Sequence, residues 1–249
     1  AFCVLGASPR AEAHLANFCP ALGICYVHLP AGIAHVLLGT LRRRIARHYG
    51  EAYGLEVDPA RVVVTTGSSG GFLLSFLAAF DAGDRVALAS PGYPAYRNIL
   101  LALDLVPVDI PTGPDTRFQP TPELLAQAEG PLAGLIVASP SNPAGTMIDP
   151  DHFAALADYC RRHDMRLISD EIYHGITYGM DTVTAASLDP DAVVVNSFSK
   201  YYAMTGWRLG WMLLPEDLLR SVESLAQNLF ISPPALPQQV ASRWIEGDG

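Results

Sequence analysis

From residue 41 onward, two kinds of apolar pattern alternate along the chain. Short blocks run almost without polar interruption: "RVVVTT" (61–66), "RVALAS" (85–90), "LVPVDI" (105–110), "GLIVAS" (134–139), "RLISD" (166–170), "VVVNSF" (193–198) and a last block over 209–214. Continuous blocks of this length, rich in Val, Ile and Leu and bounded by Gly, Pro, Asp and Ser, predict strands buried on both faces. Between most of them lie longer stretches that predict helices, over 41–54, 70–80, 93–103, 122–129, 151–163 and 215–228. The alternation predicts an α/β fold, a mostly parallel sheet with helices on both faces.

The first 40 residues break this rhythm. Residues 21–41, "ALGICYVHLPAGIAHVLLGTL", contain no Asp, Glu, Lys or Arg and are followed by Arg42, Arg43 and Arg44. That length and basic flank resemble a membrane span. Pro30, several glycines, His28 and His35 argue against one, and a buried or irregular segment is the expectation. The opening "AFCVLGAS" is apolar but short and has no basic residue ahead of it, so it makes a poor signal peptide.

Composition narrows the class. Half the 249 residues are hydrophobic and 16% are charged, enough apolar material for one sizeable core. A net charge of −9 argues against nucleic acid as the main partner. The four cysteines, Cys3, Cys19, Cys25 and Cys160, show no C-x-x-C spacing. No zinc site is expected, and a reduced, cytoplasmic compartment is the default.

In a sheet of this kind ligands gather at the carboxyl ends of the strands. "TGSSGG" (66–71) follows the first strand and opens a helix, where small residues let backbone N–H groups face one anion. "PSNPAG" holds Asn142 between two prolines, which alone fits an ordinary turn asparagine. "DEIY" puts Asp170 and Tyr173 at a strand end, where an acid often just caps the next helix. "SFSKYYAMTGWRLGW" carries Ser197, Ser199, Lys200 and Arg208, with the lysine in small, aromatic and apolar company. Each feature has a plain structural reading. Together they supply an anion cradle, a guanidinium, a carboxylate, a phenol, an amide and a lysine amine. That is the set required by pyridoxal phosphate: a Schiff-base lysine, an acid for the pyridine nitrogen and a phosphate site. An apolar setting around Lys200 would favour its neutral, nucleophilic form.

Residues 41–233 resemble the class I/II aminotransferases, the fold-type-I family that uses pyridoxal 5′-phosphate, through "TTGSS", "PGYPAY", "PSNPAG", "SDEIY" and "SFSKYYAMTGWRLGW" in family order. The resemblance implies that Lys200 attaches the cofactor, Asp170 pairs with the pyridine nitrogen, and Tyr173 and Asn142 bond the ring's phenolic oxygen. It further implies that Tyr93 stacks on the ring, while Ser68, Ser69, Ser197, Ser199 and Arg208 hold the phosphate. By the same resemblance Lys200, Asp170 and Tyr173 would form the catalytic set, acting on an amino acid and a 2-oxo acid, in a homodimer.

Two departures qualify the expectation. The family's Gly-Tyr-Thr-like motif has no counterpart ahead of "LRRRIARHYG", and residues 1–40 match poorly. The arginine that takes the substrate carboxylate belongs to a C-terminal small domain with no counterpart before Gly249. Residues 41–249 are thus expected to form the cofactor-binding large domain, after an atypical segment 1–40. The alternatives are a lyase or decarboxylase on the same fold, or a non-catalytic cofactor-binding fragment.

Overall fold

The computed structural model of the chain describes residues 31–244, with side chains from 39 to 243. Cys3, Cys19 and Cys25 lie outside these residues, as does most of the atypical N-terminal segment. Helix α1 spans Ala31–Tyr53. It begins ten residues before the predicted start, so the part of the apolar run from Ala31 onward is regular helix, contrary to the irregular reading. No helix among the described residues is long and apolar enough to cross a membrane.

Thereafter β1 (Val62–Thr65), α2 (Ser68–Ala79), β2 (Arg85–Ser90), α3 (Pro94–Ala102), β3 (Val106–Pro111) and the short α4 (Pro122–Leu125) follow in order. Next come β4 (Gly134–Ala138), α5 (Pro150–Arg162), β5 (Arg166–Asp170), α6 (Ala185–Leu188), β6 (Val193–Ser197), β7 (Gly210–Leu213), α7 (Glu216–Leu229) and α8 (Ala235–Trp244). The seven strands among the described residues form one sheet in the order β1-β7-β6-β5-β4-β2-β3. All neighbours are parallel except β7, which runs antiparallel to both β1 and β6.

Alternation along each strand sends successive side chains to opposite faces. On one face Val62, Val64, Leu135, Val137, Leu167 and Leu213 pack with Leu41, Ile45 and Tyr49 of α1 and Phe153, Leu156 and Cys160 of α5. On the other, Val63, Val86, Ile136, Ile168, Val195 and Met212 meet Phe72 and Phe76 of α2, Leu100 of α3 and Leu218 and Val222 of α7. Both faces are covered, as the continuous apolar blocks require. Since β1 is parallel to β6 while β7 is reversed, the end of β1, the end of β6 and the start of β7 meet at one edge. Thr65 pairs with Gly210, and Gly210 pairs with Ser197. The ends of β4 and β5 join the same edge, where Ala138 lies opposite Asp170.

Candidate active site

The edge divides into two ends. At one, Gly67 precedes α2 with φ 81°, a left-handed value that suits glycine. A Cβ there would come within 2.5 Å of Arg208 Nη2, so the bare backbone lets the guanidinium close over the start of α2. Arg208 is itself left-handed (φ 52°, ψ 53°) and donates from Nη1 to the Thr205 carbonyl at 3.1 Å. Gly210 is equally confined: an added Cβ would lie 2.9 Å from the Gly67 carbonyl carbon. Ser68 and Ser69 form the first turn of α2, with Ser69 exposed. Beside them Ser197 and Ser199 are buried, their hydroxyls 2.7 Å apart. Ser197 Oγ also donates to the Leu209 carbonyl (3.0 Å), leaving the Ser199 hydroxyl to donate to Ser197. Helix N-terminal N–H groups and a guanidinium in one place can hold an anion.

At the other end Asp170 closes β5, only 5% exposed. Its Oδ1 accepts from the Ile172 N–H at 3.1 Å, and its Oδ2 accepts from the Tyr96 hydroxyl. Burial pushes its carboxyl up to about 6, against the opposing effects of the Tyr96 and Ile172 hydrogen bonds and of Lys200. Burial and the same carboxylate raise the Tyr96 phenol well above its ordinary range. Tyr93 stands at the start of α3, 40% exposed, its ring edge-on to Tyr96 with centroids 5.4 Å apart. Tyr93, Tyr96, Ala138, Ser141 and Asn142 line one recess. The turn bearing Asn142 is stitched by Ser141 N–H to the Thr146 carbonyl (2.9 Å), and Gln119 Nε2 donates to both Ala138 and Thr146 carbonyls.

Lys200 joins the two ends. Its Nζ lies 5.6 Å from the Tyr173 ring centroid, and its charge acts on Asp170. It is the only lysine among the 249 residues. The expectation of an apolar setting needs correction: the three-residue drop from Ser197 carries Lys200 past the buried Phe198 to an exposed position. All ten residues named from the sequence therefore lie at one sheet edge. Tyr96 was missed as a site residue, although it lies inside the "PGYPAY" signature, one helical turn beyond Tyr93 on the same face.

The donor set fits a phosphorylated pyridine aldehyde. A buried carboxylate and an anion site stand at opposite ends of an edge that holds one amine, and Gly67 preserves the space that a Cβ would fill.

The family described as Aminotransferase class I and II matches residues 34–248. The chain belongs to this family, whose members depend on pyridoxal phosphate. A valine–pyruvate aminotransferase of Mycobacterium tuberculosis is 59% identical over 203 residues, 81% of this chain and 52% of that protein. The crystal structure of an aminotransferase from Mycobacterium tuberculosis matches with TM-score 0.83 at 52% identity, covering 97% of this chain and 65% of the other. Aspartate aminotransferase from Thermus thermophilus matches with TM-score 0.78 at 30% identity, over 97% and 65% of the two chains. The chain spans about half the length of the curated relatives it matches.

Proposed function

We propose that this chain binds pyridoxal 5′-phosphate and moves an amino group between an amino acid and a 2-oxo acid, with residues 41–249 serving as the cofactor-binding domain. The observation that carries the reading is the presence of the sole lysine and a buried carboxylate at one sheet edge, with an arginine-capped helix start beyond them. Bound there, the cofactor would supply an electron sink for the carbanion left when the substrate Cα proton departs. Lys200 would anchor it and then act as the base at Cα. Asp170 would stabilise a protonated pyridine nitrogen. Tyr173 and Asn142 would orient the ring oxygen, and Tyr93 would cover one ring face. The N–H groups at Ser68 and Ser69, with Ser197, Ser199 and Arg208, would hold the phosphate.

Valine and pyruvate are the first substrates to assay, because the relative at 59% identity carries that pair in its name. The test is borohydride reduction of the cofactor-loaded chain followed by intact mass and peptide mapping. One pyridoxyl adduct on Lys200, with alanine formed from pyruvate, is the expected result. No adduct at saturating cofactor overturns the reading, while carbon dioxide in place of a 2-oxo acid product converts it to a decarboxylase.

A further inference from the structure

The "DEIYH" stretch holds two interleaved pairs. Asp170 and Tyr173, three residues apart, face Lys200. Glu171 and His174, also three apart, turn the other way into the scaffold, 1% and 8% exposed. Glu171 Oε1 accepts from Ser169 Oγ (3.1 Å), Thr184 Oγ1 (3.1 Å) and the Ala185 N–H (2.8 Å), so it pins the start of α6 to the end of β5. Among the described residues its Oε2 has no hydrogen-bond partner, and it lies 3.5 Å from His174 Nδ1.

The tautomer of His174 follows from its neighbours. Nε2 is 3.0 Å from the Ser139 carbonyl, which can only accept, so Nε2 carries a proton. Nδ1 is 2.7 Å from the Tyr53 hydroxyl and accepts from it in the neutral ring. The result is a directed chain from Tyr53 through His174 to Ser139, and such chains strengthen cooperatively in a buried setting. Ser139 opens the turn that carries Asn142, and its own hydroxyl accepts from the Ile148 N–H at 3.0 Å.

We propose that His174, backed by Glu171 and Tyr53, is a positioning residue that locks the Asn142 turn to the segment bearing Asp170 and Tyr173. The assignment to amino transfer rests on the functional reading above. The lock itself belongs to the folded chain without cofactor. One imidazole holds both strand-end loops at a fixed spacing, so the groups aimed at the ring nitrogen and the ring oxygen keep a common frame.

The experiment compares wild type with His174→Leu, His174→Gln and Tyr53→Phe. In the cofactor-free chain, hydrogen exchange read by mass spectrometry should quicken in 139–146 and 170–176 together in His174→Leu, by about tenfold. Strands β2 and β3 should be unchanged. His174→Gln, which returns a donor where Nε2 stood, should restore protection to 139–146. With pyridoxal phosphate bound and valine as substrate, His174→Leu should lower kcat about tenfold while leaving KM within about twofold, and His174→Gln should recover most of it. Loosening of 170–176 alone, or a glutamine variant no better than leucine, overturns the proposal. Should His174→Leu fail to fold, Tyr53→Phe decides: it must loosen the same two segments, and normal protection in both sinks the idea. A wild type that forms no adduct at Lys200 would count against the functional reading alone, because the exchange measurements use no cofactor.

Discussion

The anion end and the carboxylate end of the site are built from different materials. The anion end is largely main chain: the first turn of α2, the left-handed Gly67 and the close approach of Gly210, with Arg208 folded over them. The carboxylate end is made of side chains brought from separate elements, Tyr96 from α3, Asp170 from β5 and Lys200 from the loop after β6. Backbone cradles need small residues at set spacings and are tolerant of their surroundings. A buried carboxylate has no such independence, because its charge state is set by whatever packs around it.

Lys200→Ala should break the comparison most severely by removing the group that serves both ends. Loss of proton transfer alone costs about 10²–10⁴ in the half-reaction with an amino acid, and the anchoring bond goes with it. Stopped-flow absorbance checks the rate. Because the chain has no second lysine, mass spectrometry should find no lysyl adduct at all.

Asp170→Asn isolates the carboxylate end. The half-reaction should slow by roughly 10²–10³, since a negative group is lost where positive charge must be stabilised, while equilibrium dialysis still finds cofactor bound. The same change should stabilise the cofactor-free chain. Asp170 has its carboxyl raised from 3.8 to about 6 in the folded state, so between those values the folded state holds the extra proton and stability falls as pH rises. Above pH 6 the ionised carboxylate costs about 3 kcal/mol that a neutral amide would not. Urea melts should show the variant's advantage complete above pH 6, shrinking below it and gone under pH 4. An advantage independent of pH would mean that burial is not the source of the shift.

The amount that could be read from the sequence follows the same division. Uninterrupted apolar blocks announced every strand to within a residue or two, since burial on both faces leaves little room for polar residues. Ser68, Ser69 and Arg208 were visible because a backbone cradle is written in local spacing. Tyr96 on Asp170 and His174 on Ser139 join residues 74 and 35 positions apart. No local pattern encodes such meetings. The antiparallel β7 was also invisible, because direction is decided by the short return from Lys200 to Arg208 and not by the apolar block. At the other extreme, the helical pattern over 122–129 closed after Leu125, where Ala126 through Gly130 leave the helix.

Arg208→Lys probes the anion end. Replacing a forked guanidinium by a single ammonium should weaken cofactor binding about tenfold to a hundredfold, read by fluorescence titration, with the rate of the saturated enzyme nearly unchanged. Gly67→Ala should act in the same direction by displacing that guanidinium. Tyr96→Phe should have the smallest effect, about threefold to tenfold on the half-reaction rate, the worth of one net hydrogen bond to Asp170. A rate loss as large as that of Asp170→Asn would show that the two residues act as one unit.

The reversed strand β7 has a consequence for synthesis. It lies between β1 and β6, so among the described residues the first strand has no sheet partner until the last has been made. At translation rates of roughly 5–20 residues per second, β1 waits on the order of ten seconds after leaving the ribosome. Through that interval Val62, Val63 and Val64 present an apolar edge open to other chains. Nascent molecules crowded on one messenger are therefore most prone to mutual capture before residue 210 emerges, and slowing elongation across residues 66–209 should raise the aggregated fraction.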